Sequence, residues 1–198
     1  MKYKGESISY DGLRIKYLGI TKRRLDITTD CTSWIRSKNP VSELTKAVYF
    51  EIYIENQGTS KMIGIGLTTD DPQARKRFPG GYKGTVGYLG DSGQIFYNGE
   101  QIYICDSFGT GDTIGCLLYR TYSDGTQKTI IGFVKNGKVV YNVQVSDLTF
   151  YPKIGVHSEG AVVRTNLGEY PFVFNNKGVL KDKIYFNTTQ CNFFCAFI

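Results

Sequence analysis

The residues able to do chemistry are few. His157 is the one histidine of the 198-residue chain, and Ser158 and Glu159 follow it directly. An imidazole, a hydroxyl and a carboxylate are the parts of a hydrolytic triad. Adjacent residues on a strand point to opposite faces, so this order sets the three groups apart. A hydrolase using His157 is therefore the weakest functional reading. Asp70-Asp71 offers paired carboxylates, but within a polar loop over 69–78 that also holds Arg75, Lys76 and Arg77. Acid–base catalysis needs fixed geometry, and a solvated loop is the simpler reading.

Metal and phosphate chemistry are no better supplied. The five cysteines include no C-x-x-C pair, and Cys191 and Cys195 stand far in sequence from His157. No zinc spacing or calcium loop is present, so no metal and no cofactor is expected. Cys105 and Cys116 lie in apolar strand patterns, where a reduced thiol packs as a small hydrophobe. The segment 79–96 holds six glycines interleaved with aromatics. It lacks the Walker spacing and the dinucleotide fingerprint, and no helix follows to place a dipole on a phosphate. It reads as a bent pair of short strands with a loop.

The elements that would position these groups are strands. Val48-Tyr49-Phe50-Glu51-Ile52-Tyr53-Ile54-Glu55 alternates two faces, and Met62-Ile63-Gly64-Ile65-Gly66-Leu67 has alternate glycines that let a bulky group pack across it. Short alternations at 13–18 and 25–28 and a segment at 33–37 carrying the single Trp34, a core anchor, precede them. Asn98-Gly99, Asp124-Gly125 and Asn136-Gly137 are hairpin dipeptides between β-rich segments. They predict consecutive antiparallel strands at 113–119, 129–134 and 139–145. Residues 151–157 and 161–166 read as a further pair around Ser158-Glu159-Gly160. The expected fold is all-β, a bent antiparallel β-sandwich of two sheets with few or no helices. Residues 1–11 form a lead-in, 12–177 the domain and 178–198 a C-terminal tail.

Charge excludes little. The net +6 comes from 24 Lys+Arg against 18 Asp+Glu, and residues 1–46 hold ten of the former and five of the latter. The densest cluster, Lys22-Arg23-Arg24, is three residues long, which suits a solvated basic edge better than a nucleic-acid arm. Nucleic-acid or carbohydrate binding stands as the alternative function. The N-terminal residues show no apolar signal-peptide region and no run reaches membrane-spanning length, so a cytoplasmic or nuclear protein without a membrane is expected. The sequon at Asn187-Thr188-Thr189 is then read as chance.

Seven ordered segments resemble the SPRY domain. Val48-Tyr49-Phe50-Glu51-Ile52 is similar to the family's YFEV strand, and Ile63-Gly64-Ile65-Gly66-Leu67 to its GIGL strand. Gly87-Tyr88-Leu89-Gly90-Asp91-Ser92-Gly93 resembles GYHGDDG, and Gly111-Asp112-Thr113-Ile114-Gly115-Cys116 resembles GDVIGC. Phe133-Val134-Lys135-Asn136-Gly137 matches F-x-KNG, and Tyr151-Pro152-Lys153-Ile154-Gly155 is similar to YPTIG. The last match runs from Val162 through Phe174. Within the family the chain looks most like the Ran-binding protein M branch.

The resemblance implies a concanavalin-like sandwich and a non-enzymatic, monomeric module that binds a peptide or protein through edge loops. An adaptor or substrate-recognition role for a ubiquitin ligase or other assembly follows from the same likeness. It implies candidate partner-binding residues Arg75, Arg77, Pro79, Tyr82, Tyr88, Leu89, Phe96, His157 and Ser158. Tyr and Leu side chains would serve as anchors there and the arginines would select acidic partners. Leu89 departs from the polar residue usual at its place, and Tyr88 and Phe96 have a core reading beside the binding one.

Overall fold

The computed structural model describes residues 3–4, 7–20, 24–31, 33–43, 45–174 and 193–194, with 3–4 and 193–194 as backbone only. Alternating side chains settle into two antiparallel sheets. The eight-stranded sheet runs in the order β1 (Tyr3–Lys4), β2 (Ile8–Tyr10), β3 (Arg14–Tyr17), β14 (Val162–Asn166), β5 (Ala47–Asn56), β10 (Thr113–Ser123), β11 (Thr126–Lys135) and β12 (Lys138–Val145). The seven-stranded sheet runs β15 (Phe193–Phe194), β4 (Trp34–Ser37), β13 (Tyr151–Val156), β6 (Ile63–Thr68), β7 (Val86–Leu89), β8 (Gln94–Tyr97) and β9 (Glu100–Ile104).

Local chemistry explains the hairpins. Asn98 and Gly99, Asp124 and Gly125, and Asn136 and Gly137 all have positive φ, between 50° and 86°. Two consecutive left-handed residues make a type I′ turn, whose twist matches that of the paired strands. These turns join β8 to β9, β10 to β11 and β11 to β12, and each pair is hydrogen-bonded.

Phe50, Ile52 and Ile54 of β5 enter the main core between the sheets. There they meet Ile65, Tyr88, Ile114, Cys116, Phe133, Ile154 and Val163. Trp34 is also buried, as its sequence position implied. Two smaller clusters cover the outer faces. Ile27, Met62, Phe78 and Leu89 lie on the seven-stranded sheet, and Tyr49, Leu117, Val134 and Phe174 on the eight-stranded one.

Three sequence expectations change. Residues 151–157 and 161–166 do not pair: β13 lies between β4 and β6, while β14 lies between β3 and β5 in the other sheet. Their burial differs accordingly, since β13 is covered on both faces and β14 alternates. Leu25-Asp26-Ile27-Thr28 is no strand. Asp26 Oδ1 accepts hydrogen bonds from Thr28 N and Thr28 Oγ1, a local turn that competes with extended pairing. The polar loop at 69–78 contains one helical turn, α1 (Pro72–Arg75). Asp71 caps it by accepting from Gln73 N and Ala74 N, with Pro72 in the first turn. The proposed tail, 178–198, and the sequon lie outside the described residues except for β15.

Candidate functional site

The segments 24–31 and 70–85 form a layer across the outer face of β6, β7 and β13. Glycines create the seat. A Cβ on Gly64 would stand 2.6 Å from the Phe78 ring, and one on Gly155 would collide with the same ring. Of the alternate glycines of β6, Gly64 thus receives the bulky group expected on sequence, whereas Gly66 lies against the Val86 carbonyl. Gly81 backs onto the Ile27 carbonyl, which brings the two segments into contact with no room for a side chain.

Lys153 fastens this layer from below. Its side chain is fully buried on β13. The ammonium donates to the carbonyls of Ala74 and Arg75, each at 3.0 Å, and to that of Arg77. It also stands 4.1 Å from the centre of the Trp34 ring. Burial lowers its pKa to about 7, with the Arg36 and Arg77 charges adding to the fall and Cys31 opposing it. The residue was not singled out on sequence. The available signal was a lysine inside an apolar strand, where the family's YPTIG pattern has threonine.

The structure divides the nine expected contact residues. Tyr82 is half-buried and Lys83 beside it is exposed. The turn beneath them is closed by Thr85, whose hydroxyl donates to the Tyr82 carbonyl at 2.6 Å, and by Asn98 Oδ1, which accepts from Gly84 N at 2.7 Å. Phe96 is half-buried against the outer cluster, and so is Leu25. Tyr82 and Phe96 therefore both remain partly exposed, and Leu25, packed against the same outer cluster as Phe96, is a residue that sequence reasoning missed.

Other members are inside the protein. Tyr88 and Leu89 are adjacent on β7 and each has 0% exposure. Tyr88 points into the main core, with Phe108 at 4.9 Å and its hydroxyl donated to the Asp106 carbonyl. Leu89 points the opposite way into the outer cluster. Burial on both faces takes both side chains out of reach of a partner. Pro79 is likewise buried, its carbonyl packed where a Cβ on Gly87 would lie.

The arginines are already engaged. Arg75 and Arg36 both pair with Asp70, each at 2.7 Å, and Arg77 pairs with Asp30. The acidic pair at 70–71 thus serves an ion-pair cluster and a helix cap.

His157 and Ser158 lie at the far end of the sheet. His157 N donates to the Met62 carbonyl just before β6, whereas Tyr82 lies beyond the other end of that strand, about 17 Å away along a six-residue rise. His157 Nδ1 is 3.0 Å from Ser33 Oγ and 3.2 Å from Tyr17 Oη, and burial lowers its pKa. Ser158 has 0% exposure. Its hydroxyl donates to the Gln57 carbonyl at 2.8 Å and accepts from Ser60 N and Lys61 N at 3.0 and 3.1 Å. It braces the turn at 57–61, so its hydroxyl is engaged with that turn and not paired with His157. Leu18 and Ile20 are exposed near this end, Ile20 at 72%. Among the described residues no three His, Cys, Asp or Glu side chains gather as a metal site. No described helix is long and apolar enough to cross a membrane.

Two antiparallel sheets, with type I′ hairpins between neighbouring strands of each and a loop layer on one outer face, define a β-sandwich of the SPRY class. The family model described as the SPRY domain matches residues 47–170, and the chain belongs to that family of protein-interaction modules. It is 32% identical over 178 residues to Ran-binding protein 9 of Xenopus tropicalis, covering 88% of this chain and 30% of that protein. Identity to Ran-binding protein 9 of Homo sapiens is 29% over 184 residues, covering 91% of this chain and 24% of that protein. The chain therefore spans less than a third of the length of these relatives. A crystal structure of a human SPRY domain superimposes with a TM-score of 0.65 at 22% identity, covering 84% of this chain and 98% of that one. The SPRY domain of human HERC1 gives 0.56 at 20% identity, covering 82% and 92%. Both share the fold.

Proposed function

We propose that this chain is a non-enzymatic module that binds a peptide or protein surface through the loop layer on its seven-stranded sheet. Tyr82 and Phe96 are the anchors, with Leu25 and Lys83 at the rim. The observation that supports this most is that Lys153, Phe78 and the Gly81–Ile27 contact hold the loop backbone in place. Two aromatic side chains stay half-exposed on that support. A rim ordered in advance loses little entropy on binding, and aromatic anchors on such rims carry much of the binding energy. Presentation of the bound partner to a larger assembly, a ubiquitin ligase among them, belongs to the same proposal and rests on family membership alone.

A second reading places the contact at the His157 end, favoured by the exposed Leu18 and Ile20 beside Tyr17 and His157. One experiment separates the two. Peptides selected on the wild-type chain from a random displayed library are measured against Tyr82→Ala and Ile20→Ser by fluorescence anisotropy. The loop-layer reading expects Tyr82→Ala to weaken binding about tenfold or more and Ile20→Ser to leave it unchanged. The reverse pattern moves the site to the His157 end, and unchanged affinity in both variants rejects both surfaces.

A further inference from the structure

Alternation puts Ile15, Val163, Ile52 and Ile114 in the main core. Their neighbours Arg14, Arg164, Tyr53 and Thr113 therefore turn to the outer face of the eight-stranded sheet. The register sets these four side by side across β3, β14, β5 and β10. One step along, Asn166 stands opposite Glu51, and the two pin the chain that follows β14. Asn166 Oδ1 accepts from Gly168 N and Tyr170 N, while Glu51 Oε1 accepts from Asn166 Nδ2 at 3.0 Å and Val173 N at 3.2 Å. Between this strap and the row lies a cleft of about 440 Å³. Tyr53, Thr113 and Arg164 wall it on the sheet, and Tyr170, Pro171 and Val173 on the strap. It faces away from the loop layer, which covers the other sheet.

The polar groups around the cleft are unevenly satisfied. Glu51 is buried and accepts a third hydrogen bond from Tyr49 Oη at 2.8 Å. Both oxygens of Glu55 accept from Arg14 Nε at 2.9 Å. Arg164 Nε stands 3.8 Å from Glu55, and its guanidinium, 5.0 Å from the centre of the Tyr53 ring, makes no hydrogen bond among the described residues. The hydroxyls of Tyr53, Thr113 and Tyr170 have no partner among those residues either. The groups left over are thus a cation and three hydroxyls, all able to donate, while the nearby carboxylates are already engaged. A guanidinium offers donors alone and fits a carboxylate through two parallel N–H···O bonds. Contact with the Tyr53 ring restrains that fork before a ligand arrives. Arg14 and Arg164 share one carboxylate, Glu55, so the mouth carries a surplus positive charge. A monoanion matches it, whereas a dianion would be opposed by the buried Glu51.

We propose that this cleft binds a carboxylate carried by a peptide. Arg164 is the fork, the Tyr53 and Thr113 hydroxyls are further donors, and the strap from Tyr170 to Val173 covers the stem. A chain terminus and an acidic side chain present the same group, and the two sources are separated by experiment. The site is distinct from the loop layer and does not depend on what the loop layer binds.

Amide NMR on the whole chain tests this with benzoate, benzamide and phenylphosphate, which share a ring and differ in charge. Benzoate is expected to shift the amides of Tyr53, Thr113, Arg164, Tyr170 and Val173 saturably, with a Kd of about 1–10 mM for so small a probe. Benzamide is expected to bind about tenfold more weakly, and Arg164→Gln to weaken benzoate by a similar factor while the rest of its spectrum stays that of the wild type. Tyr82→Ala, in the loop layer, is expected to leave benzoate binding unchanged. Acetyl-Gly-Phe with a free terminus and acetyl-Phe-Glu with an amidated one then identify the source, by which of them shifts the same amides at the lower concentration. No saturable shift at these amides by about 50 mM benzoate overturns the proposal. So does benzamide binding as well as benzoate, or an Arg164→Gln variant that binds benzoate like the wild type. Phenylphosphate binding more tightly than benzoate overturns the choice of a carboxylate, and two inert peptides overturn the peptide as its carrier.

Discussion

Replacing Lys153 by methionine probes the attachment of the loop layer to the sandwich. The change keeps the length of a fully buried side chain and removes its three bonds to the carbonyls of Ala74, Arg75 and Arg77. The Ala74 carbonyl keeps the Arg77 amide as a donor at 3.3 Å, so the loss falls mainly on two carbonyls. At about 1–3 kcal/mol for each buried group left unsatisfied, less the gain from burying an apolar end, the net loss is about 3 kcal/mol. That corresponds to a fall in Tm of about 6–12 °C for a domain of this size.

The pH dependence carries its own sign. Burial lowers the Lys153 pKa to about 7 in the folded protein, against about 10.4 in an unfolded chain. Between these values the unfolded state binds more protons, so stability rises with pH. Below about pH 7 the amine is charged in both states and the burial cost is present in full. The wild type should therefore gain on Lys153→Met as pH rises from 7 to about 10. Urea unfolding at pH 6, 7.5 and 9 measures the gap, and amide exchange shows whether residues 72–82 loosen first. A variant as stable as the wild type at all three pH values would refute the reasoning, because the carbonyls would then need no donor from β13.

Gly155→Ala should lose about 2 kcal/mol or more because its new methyl meets the Phe78 ring, and Phe78→Leu should recover part of that in the double variant. Gly66→Ala meets the Val86 carbonyl instead, a backbone group, so the same partner change should give no recovery in thermal melts. Glu51→Gln weakens the bonds that the buried carboxylate accepts from Tyr49 Oη, Asn166 Nδ2 and Val173 N; limited proteolysis should cut sooner within 167–174 while the sandwich stays folded. Ser158→Ala leaves the amides of Ser60 and Lys61 without their acceptor and should cost about 1–3 kcal/mol in chemical denaturation.

Local rules carried far in this chain because they act within a few residues. The three Asn-Gly and Asp-Gly turns, the two faces of β5 and the ring slot over Gly64 follow from φ preferences, the two-residue period and the absence of a Cβ. The seven motifs then indicated the family before any contact was known. The proposed binding surface was legible only in part. Tyr88 and Leu89 alternate as a half-exposed strand would, and nothing nearby in sequence says that segments 24–31 and 70–85 close over the outer face. Arg75 and Arg77 read as free cations until Asp70 and Asp30 are placed beside them. The division of β13 and β14 between two sheets and the capture of three loop carbonyls by Lys153 are of the same kind. Strand identity is set by short-range sterics and alternation, whereas partner, burial and ion pairing join residues dozens of positions apart. Only the packed sandwich brings them within reach.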